Sequence, residues 1–219
     1  MPARIDESLI PISPDLSFEF ALWFNSITNI AGLDEAGRGA WAGPVAAAAV
    51  ILPNNPSICD SLSGVQDSKQ ISPSQRCRLA PKIKEYALSW AIGFSDNNEI
   101  DNLGILFATR LAMQRAILRL STPPEYLLLD ALFLPEIPLP QTALIKGDRR
   151  CLSIAAASIL AKTTRDEWMV KAHQDFPDYG FDHHKGYGTK IHQNALAAIG
   201  KCNLHRSSFR PLKELDRKQ

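Results

Sequence analysis

The sequence predicts a mixed α/β fold in which helices cover one sheet, and three observations support this prediction. The chain has 219 residues, of which 45% are apolar, which is enough for one sizeable core. Short, continuously apolar runs bounded by glycine or proline are typical of strands that are buried on both faces. Longer segments repeat apolar residues at spacings of three and four, as amphipathic helices do. Strands and helices that alternate in this way indicate a mixed sheet.

Turn residues and helix caps place each element along the chain. Residues 1 to 28 contain three prolines and are interpreted as an arm that ends in a short helix or strand over Phe18 to Phe24. Ser72, Pro73 and Gln75 predict a capping box with proline at the first helical position. The predicted order is strand Ile30–Asp34, strand Val45–Leu52, helix Ser72–Leu88, strand Trp90–Phe94, helix Glu99–Leu120 capped by Asn97 or Asn98, strand Tyr126–Leu129, strand Thr142–Ile145, helix Ser153–Lys171 and helical segments after Pro177.

The charges of the chain nearly cancel, with 24 basic and 23 acidic residues. This balance indicates neither a nucleic-acid coat protein nor a disordered chain. From Lys185 onwards, however, eight basic residues stand against two acidic ones. Such a segment suits contacts with a phosphate backbone, and it also suits a solvated surface helix, so both interpretations stay open.

The four cysteines are far apart and form no C-x-x-C pair, which favours a reducing compartment over a disulfide framework. Cys202 and His205 have a metal-like spacing but lack a second ligand pair, so no zinc site is expected. The longest apolar run, Val45 to Leu52, is far shorter than the roughly 20 residues of a spanning helix. The N-terminal residues lack the basic start and apolar stretch of a signal peptide. We therefore expect a cytoplasmic protein without a membrane span.

Four acidic residues occur where predicted strands end or a helix is about to begin. Asp34 and Glu35 end the first strand, Asp130 ends another, and Asp148 precedes the last long helix. Adjacent strand residues point to opposite faces, so Asp34 and Glu35 reach one site only if the strand breaks there, as the following Gly-Arg-Gly suggests. Carboxylates in this arrangement can hold two hard cations over a phosphodiester. A single aspartate taken alone is more commonly a turn residue or helix cap.

Several motifs together resemble one enzyme family. The segment Gly32 to Gly39, followed by Ala42 to Val45, resembles the opening motif of ribonuclease HII, the type 2 ribonuclease H. The resemblance spans about residues 30 to 212, and so many motifs in the family's order argue strongly against chance. The further matching motifs are Asp67–Lys69, Leu129–Asp130, Lys146–Asp148, Ile154–Lys162, Arg165–Asp166, His184–Tyr187 and His205–Phe209.

The resemblance implies a ribonuclease H-like mixed sheet flanked by helices, with a helical C-terminal extension. We accordingly expect an N-terminal arm over 1–28, a catalytic domain over 29–175 and a basic helical extension over 176–219. The implied enzyme cuts on the 5′ side of ribonucleotides, in RNA/DNA hybrids and at single ribonucleotides in duplex DNA, and leaves a 3′-hydroxyl and a 5′-phosphate. It would act by a two-metal mechanism with Mn²⁺ or Mg²⁺, which agrees with all-oxygen ligands. The implied metal-binding and catalytic residues are Asp34, Glu35, Asp130 and Asp148.

The resemblance also implies a set of substrate-binding residues. The Gly-Arg-Gly turn would present backbone and guanidinium groups to the ribose and its phosphates, since glycine lets the backbone approach a 2′-hydroxyl closely. A tyrosine would lie against the sugar at the junction of RNA and DNA. A simple tight turn and an ordinary core or surface aromatic are the respective alternatives. The implied residues are Gly37, Arg38, Gly39, Lys185 and Tyr187.

The sequence departs from the family pattern at a few positions. Trp41 stands where an aliphatic residue is usual, and Ala131 where glycine is frequent. Gly188 stands where proline often follows the tyrosine, and we expect it to loosen that loop. The N-terminal arm is too short for the extra domain of ribonuclease HIII. Residues 212 to 219 lack the aromatic pair of a sliding-clamp peptide, so no clamp partner is expected, and we expect a monomer.

Two other classes of protein remain as alternatives. Integrases and transposases also hold metals with carboxylates on a sheet of this type, but they do not explain Gly37 to Gly39 or Tyr187. A non-catalytic duplex-binding module would be favoured if one of the four acids were neutral, and all four are present. Within the last long helix, we expect Asp166 to be structural and to form an ion pair with one of its neighbours Arg165 and Lys162.

Overall fold

The computed structural model describes Glu7 and residues 10 to 216 of the chain. The expected N-terminal arm and C-terminal extension therefore lie partly outside the described residues, at 1–6, 8, 9 and 217–219. The strands are β1 Ile30–Ala36, β2 Val45–Ile51, β3 Ser89–Ser95, β4 Tyr126–Asp130 and β5 Gln141–Leu144, and the helices are α1 Ser17–Phe24, α2 Ile58–Ser61, α3 Pro73–Tyr86, α4 Asn97–Leu103, α5 Ile105–Leu118, α6 Leu152–Asp175, α7 Phe181–His184, α8 Lys190–Ile199 and α9 Arg210–Asp216.

The strands form one five-stranded sheet in the order β3-β2-β1-β4-β5. β1 pairs antiparallel with β2, and β2 pairs antiparallel with β3. β1 and β4 run parallel, as do β4 and β5. One apolar cluster packs the sheet against α6 and another packs it against α5. The predicted mixed α/β fold with helices on both faces is confirmed.

The contact between β1 and α6 is close because both elements carry small residues there. Ala155, Ala156 and Ala157 of α6 are fully buried. A Cβ added at Gly32 would lie 2.3 Å from the backbone carbonyl carbon of Ser153. The alanine stretch therefore packs closely on the sheet, and Gly32 is the residue on the strand that makes the approach possible.

Local signals predicted the start of α3 correctly and the start of α4 incorrectly. Ser72 caps α3 with a complete capping box, as its sequence predicts. The predicted single helix from Glu99 to Leu120 is wrong, because Gly104 adopts φ 79° and separates α4 from α5. The cap is also displaced, since the side chain of Asp96 accepts a hydrogen bond from the Glu99 N–H.

Among the described residues, no helix is both long enough and apolar enough to cross a membrane.

Helix α1 docks its acidic side chain onto the start of α6. Glu19 is 1% exposed, and its Oε1 accepts hydrogen bonds from the Ser153 N–H at 2.9 Å and from the Cys151 thiol at 3.1 Å. A carboxylate at this position satisfies a free N–H of the first helical turn and interacts favourably with the helix dipole. The backbone of Asp15 also forms hydrogen bonds with the backbones of Arg150 and Leu152.

The division of the chain into arm, catalytic domain and extension stays a prediction.

A third apolar cluster joins the end of α6 to α7, α8 and α9. Two buried arginines connect it to the loop between β1 and β2. Arg165 donates hydrogen bonds to the carbonyl oxygens of Ala42, Pro44 and Lys185. Arg206 donates to the carbonyl oxygens of Arg38 and Gly43. The C-terminal helices are therefore attached to the loop that follows the first acidic pair.

Candidate active site

The acidic residues gather at the edge of the sheet where β1 and β4 end. Parallel neighbouring strands bring their carboxyl ends to the same edge, and the last paired residues before the acids are Leu33 and Leu129. The loop after β5 then returns to this edge. The Gly147 N–H, in a short 3₁₀ helix that also contains Asp148, donates to Asp130 Oδ1 at 2.7 Å. Strand pairing and one backbone hydrogen bond thus place three acids together.

Asp34, Asp130 and Asp148 each offer a carboxylate oxygen within 4.8 Å of the others. Within the described part of the chain, this is the one group of three or more histidine, cysteine or acidic side chains gathered so closely. Asp34 and Asp148 are each 5% exposed. Burial, followed by the charges of the neighbouring acids, raises the pKa of Asp34 well above its usual range. Burial, followed by the charges of Asp130 and Asp67, raises the pKa of Asp148 to about 7.

Such a group of like charges is unfavourable unless a cation compensates it. The donor set is entirely oxygen, which suits hard divalent ions. The cluster therefore fits a metal site, and the cation would take the place of the protons that the raised pKa values retain at neutral pH.

Glu35 lies beside this cluster and not within it. The prediction that the strand breaks after Asp34 is wrong, because β1 continues its pairing with β2 as far as Ala36 and Ala46. Successive strand residues face opposite sides, and Glu35 Oε1 accepts a hydrogen bond from Arg38 Nη1 at 3.1 Å. Burial raises the pKa of Glu35, while Arg38 lowers it and Asp130 raises it. The charge of Asp130 thus influences the pKa of Glu35, but the Glu35 carboxylate itself is paired with Arg38.

The Gly-Arg-Gly turn follows directly. Gly37 has φ 94°, and a Cβ there would lie 1.9 Å from Arg165 Nε, so both the backbone conformation and the packing require glycine. A Cβ at Gly39 would meet nothing within 4 Å, so this side of the turn is open to an approaching ligand. The Arg38 side chain is 44% exposed. The turn thus combines a fixed backbone, an open side and an accessible guanidinium group.

These residues line a cavity of about 460 Å³ beside the carboxylates. Tyr187 closes one side of it, with Lys162 Nζ and Arg165 Cζ each 5.4 Å from the centroid of its ring. Lys185 lies in an adjoining groove of about 670 Å³, which shares Lys162 and Tyr187 with the first cavity. The cavity is lined by Glu35, Ala36, Gly37, Arg38, Gly39, Ser68, Lys69, Lys162 and Tyr187.

Two lysines of the cavity were not identified as site residues from the sequence. Burial lowers the pKa of Lys69, but the carboxylates of Asp34, Asp148, Asp67 and Asp130 outweigh it and raise that pKa above its usual value. Lys162 forms the expected ion pair with Asp166 at 2.7 Å and also lines the cavity. Both lysines fall inside motifs of the family resemblance, which was the available signal. The approach of Lys69 to the acids requires the packing of distant segments.

The departures from the family pattern have structural explanations at three positions. A Cβ at Gly188 would lie 2.3 Å from Trp41 Cζ2, so the indole of Trp41 occupies the space beside this glycine. Gly188, which was expected to loosen the loop that carries Tyr187, is thus covered by the indole of Trp41. Ala131 has φ 49°, in the left-handed region where glycine is the less strained residue.

Comparison with known proteins identifies close relatives. A family model described as Ribonuclease HII matches residues 31–211. The protein named Ribonuclease HII of Chloroflexus aurantiacus is 52% identical over 204 residues, which cover 92% of this chain and 95% of that protein. The ribonuclease H2 of Pyrococcus horikoshii OT3 has a TM-score of 0.70 at 24% identity, over 87% of this chain and 98% of that one. The RNase HII of Archaeoglobus fulgidus, solved in complex with PCNA, has a TM-score of 0.70 at 27% identity, over 83% and 95%.

Proposed function

The chain belongs to the ribonuclease HII family and is a metal-dependent endoribonuclease, and we propose that it cuts on the 5′ side of ribonucleotides in duplexes. The proposed substrates are RNA/DNA hybrids and duplex DNA with single embedded ribonucleotides. One observation carries the proposal: three clustered carboxylates lie beside a cavity that is lined by a glycine-rich turn, lysines and a tyrosine.

We propose that Asp34, Asp130 and Asp148 hold the metal directly, and that Glu35 joins them when substrate displaces Arg38 from it. Mn²⁺ or Mg²⁺ would activate the attacking water and stabilise the leaving 3′-oxygen. The carboxylates of the chain bind and orient the ions, because their clustered charges attract divalent cations. The products would be a 3′-hydroxyl and a 5′-phosphate.

The turn and the tyrosine are proposed to recognise the ribose. The fixed backbone at Gly37 and the open side at Gly39 allow main-chain groups to approach a 2′-hydroxyl, the group that distinguishes RNA from DNA. Arg38 and Lys69 supply positive charge for the phosphates, as cationic side chains generally do in nucleic-acid binding. The ring of Tyr187 would pack against the sugar at the junction, and Lys185 would contact the strand in the adjoining groove.

The nucleic acid is the proposed partner, and the protein is proposed to act as a monomer. PCNA is a partner of the Archaeoglobus protein in its solved complex. The residues from 212 onwards in the present chain lack the aromatic pair of a clamp peptide, so a clamp contact is not part of the proposal. We also propose a cytoplasmic location, because all four cysteines are free thiols, as is usual in a reducing compartment.

The test is cleavage of a DNA duplex that contains one ribonucleotide, with and without Mn²⁺, by the wild type and by Asp130→Asn. We expect a single cut 5′ of the ribonucleotide that requires the ion. The variant should bind the duplex normally yet cut at less than about a tenth of the wild-type rate, since loss of a metal ligand removes several kcal/mol of transition-state stabilisation.

An all-DNA duplex of the same sequence is the control and should remain intact. Equal cutting of both duplexes would favour a nuclease of the integrase type that does not recognise ribose. Tight binding without any cutting would favour a duplex-binding module and would overturn the proposal.

A further inference from the structure

Three buried histidine rings lie beneath the loop that carries Tyr187. His184 and His192 stack with ring centroids 4.5 Å apart, and His192 and His205 lie 5.2 Å apart. All three rings contact Phe181. These histidines are outside the carboxylate cluster, and the sequence resemblance assigned none of them a part in the reaction. Two of them, His184 and His192, are nevertheless hydrogen-bonded to the backbone of the loop that carries Tyr187.

The hydrogen-bond partners determine which nitrogen of each ring carries the proton. The carbonyl oxygen of Tyr187 can only accept, so His192 Nδ1, 3.0 Å away, must donate to it. In the neutral ring, Nε2 of His192 is then an acceptor, and it faces His205 Nε2 at 3.0 Å, which must donate. His205 Nδ1 accepts in turn from the Cys202 N–H at 2.9 Å. The chain therefore runs in one direction, from Cys202 through two rings to Tyr187.

His184 anchors the other side of the same loop. Its Nδ1 accepts from the Gly186 N–H at 3.1 Å, so its Nε2 donates to the Tyr179 carbonyl oxygen at 2.8 Å. Lys185 and Gly186 have φ values of 51° and 82°, a left-handed pair that L-residues rarely adopt without external support. Histidine nitrogens thus hold the Gly186 N–H, directly before the tyrosine, and the carbonyl oxygen of Tyr187 itself.

Trp41 packs against the same loop. Its ring lies 5.6 Å from that of His192 and packs against Gly188. Its backbone N–H donates to the Gly186 carbonyl oxygen at 2.8 Å. The loop consequently contacts both the indole and the histidines, and the direction of the Tyr187 ring depends on where they hold its backbone.

We propose that His192 is a positioning residue for Tyr187, which it holds against the substrate cavity through the hydrogen-bond chain from Cys202 and His205. The proposal rests on the proposed function, in which the Tyr187 ring contacts the sugar at the junction. His192 itself touches no substrate. Its contribution is to keep the Tyr187 carbonyl, and with it the ring, in one place.

The chain works only while both rings are neutral, because a proton added to His192 Nε2 would face the N–H of His205. Burial lowers the pKa of each of these two histidines to about 4, which keeps them neutral at physiological pH. The titratable and charged groups around the rings, from each packed element, are Tyr179, Asp182, His183, His184, Lys185, Lys201 and Cys202.

Nuclear magnetic resonance of the full chain labelled with ¹⁵N-histidine tests the protonation pattern directly. We expect His192 as the Nδ1–H tautomer, and His184 and His205 as Nε2–H tautomers. His192 and His205 should remain neutral down to about pH 5, about one unit above their lowered pKa values. His192 with its proton on Nε2, or protonated near pH 6, would overturn the proposal whatever the activity of the enzyme.

Cleavage rates of two variants of His192 test the positioning role. Asparagine keeps an N–H donor near the position of Nδ1, whereas leucine removes it. We expect His192→Leu to cut the single-ribonucleotide duplex about tenfold more slowly, which corresponds to the loss of one hydrogen bond. His192→Asn should stay within about threefold of the wild type. Leu196→Ala, in the same helix and the same apolar cluster, is the control that weakens packing without breaking the chain.

A double variant separates this proposal from the role of Tyr187. In a Tyr187→Ala background, His192→Leu should cause no further loss, because its effect passes through the tyrosine. If Tyr187→Ala cuts normally, the sugar-contact role of Tyr187 fails, and the tautomer measurement alone decides the hydrogen-bond chain. Equal losses from His192→Leu in both backgrounds, no rescue by asparagine, or the same loss in Leu196→Ala would overturn the positioning role while leaving that of Tyr187 intact.

Discussion

Arg206 Nη1 donates a hydrogen bond to the backbone carbonyl oxygen of Arg38 at 2.9 Å, although the two residues are 168 positions apart. The same guanidinium group donates from Nε and Nη2 to the carbonyl oxygen of Gly43 at 2.9 and 2.8 Å. A fully buried arginine of the C-terminal segment thus fixes both ends of the loop that starts at the Gly-Arg-Gly turn.

Arg206→Lys should destabilise the protein and slow cleavage, because a lysine ammonium cannot reproduce the planar fork that serves two carbonyl oxygens. We expect a loss of about 2 kcal/mol or more in the free energy of unfolding, since buried carbonyl groups lose a charged donor. Urea denaturation measures it. Arg78→Lys, at an exposed position of α3, is the matched control. Equal stability of the two variants would mean that the Arg206 contacts are dispensable.

Asp148→Asn should stabilise the metal-free protein at high pH. Burial first, and then Asp130 and Asp67, raise the folded pKa of Asp148 to about 7, so its acidic form is favoured on folding. The protonated Asp148 therefore contributes to the stability of the fold below about pH 4, and this contribution is lost as pH rises from about 4 to 7. One pKa unit is about 1.4 kcal/mol, and each kcal/mol shifts the Tm by about 2–4 °C for a chain of this size.

We therefore expect Asp148→Asn to melt at least about 3 °C above the wild type at pH 8 in chelator, with the gap closing towards pH 4. Mn²⁺ should raise the Tm of the wild type at pH 8 and have little effect on the variant, because binding to the folded state stabilises it. A gap that does not change with pH would show that Asp148 ionises normally in the folded protein.

Glu19→Ala should lower stability by about 2 kcal/mol or more, because it removes the acceptor for the first turn of α6 and leaves a cavity. Glu19→Gln keeps a carbonyl acceptor for the Ser153 N–H and should lose less. Glu85→Ala, at an exposed position of α3, controls for the removal of a carboxylate. The readouts are the urea midpoint and the affinity for Mn²⁺. A Glu19→Ala variant as stable as Glu85→Ala would show that the contact between α1 and α6 contributes nothing.

Ala131→Gly should leave the fold unchanged or stabilise it by up to about 1 kcal/mol, because glycine adopts φ 49° without the strain that alanine carries there. The same substitution at the exposed helical residue Ala198 should destabilise by about 1 kcal/mol. In thermal melting, we expect Ala131→Gly to leave the Tm unchanged or raise it and Ala198→Gly to lower it. Destabilisation of both variants by equal amounts would remove strain at Ala131 as an explanation.

Signals confined to a few neighbouring residues predicted much of the architecture. The capping box at Ser72 and the apolar runs of the five strands suffice because strands and caps depend on local chemistry. The break at Gly104 was missed, since a glycine inside a helical pattern is often tolerated and the pattern does not reveal its positive φ. The full length of β1 was also missed, because its last pairs depend on β2.

In the candidate site, too, local sequence predicted some features, while others depend on contacts between distant segments. The position of Asp130 at a strand end was predictable, and the parallel pairing of β1 with β4 explains why it meets Asp34. The pairing of Glu35 with Arg38 and the approach of Lys69 to the acids depend on side-chain packing across distant segments. His192 gave no signal at all, since a single histidine in an amphipathic helix is indistinguishable from an ordinary core residue.

The attachment of Arg206 to the Gly-Arg-Gly turn also sets an order of events during synthesis of the chain on the ribosome. The metal-binding acids are complete once Asp148 has been made, but the turn beside them receives its support from a residue made much later. We expect a nascent chain that stops before residue 206 to expose the acids without a formed substrate cavity. Nuclease competence would then arise late in translation, after most of the sheet has already formed.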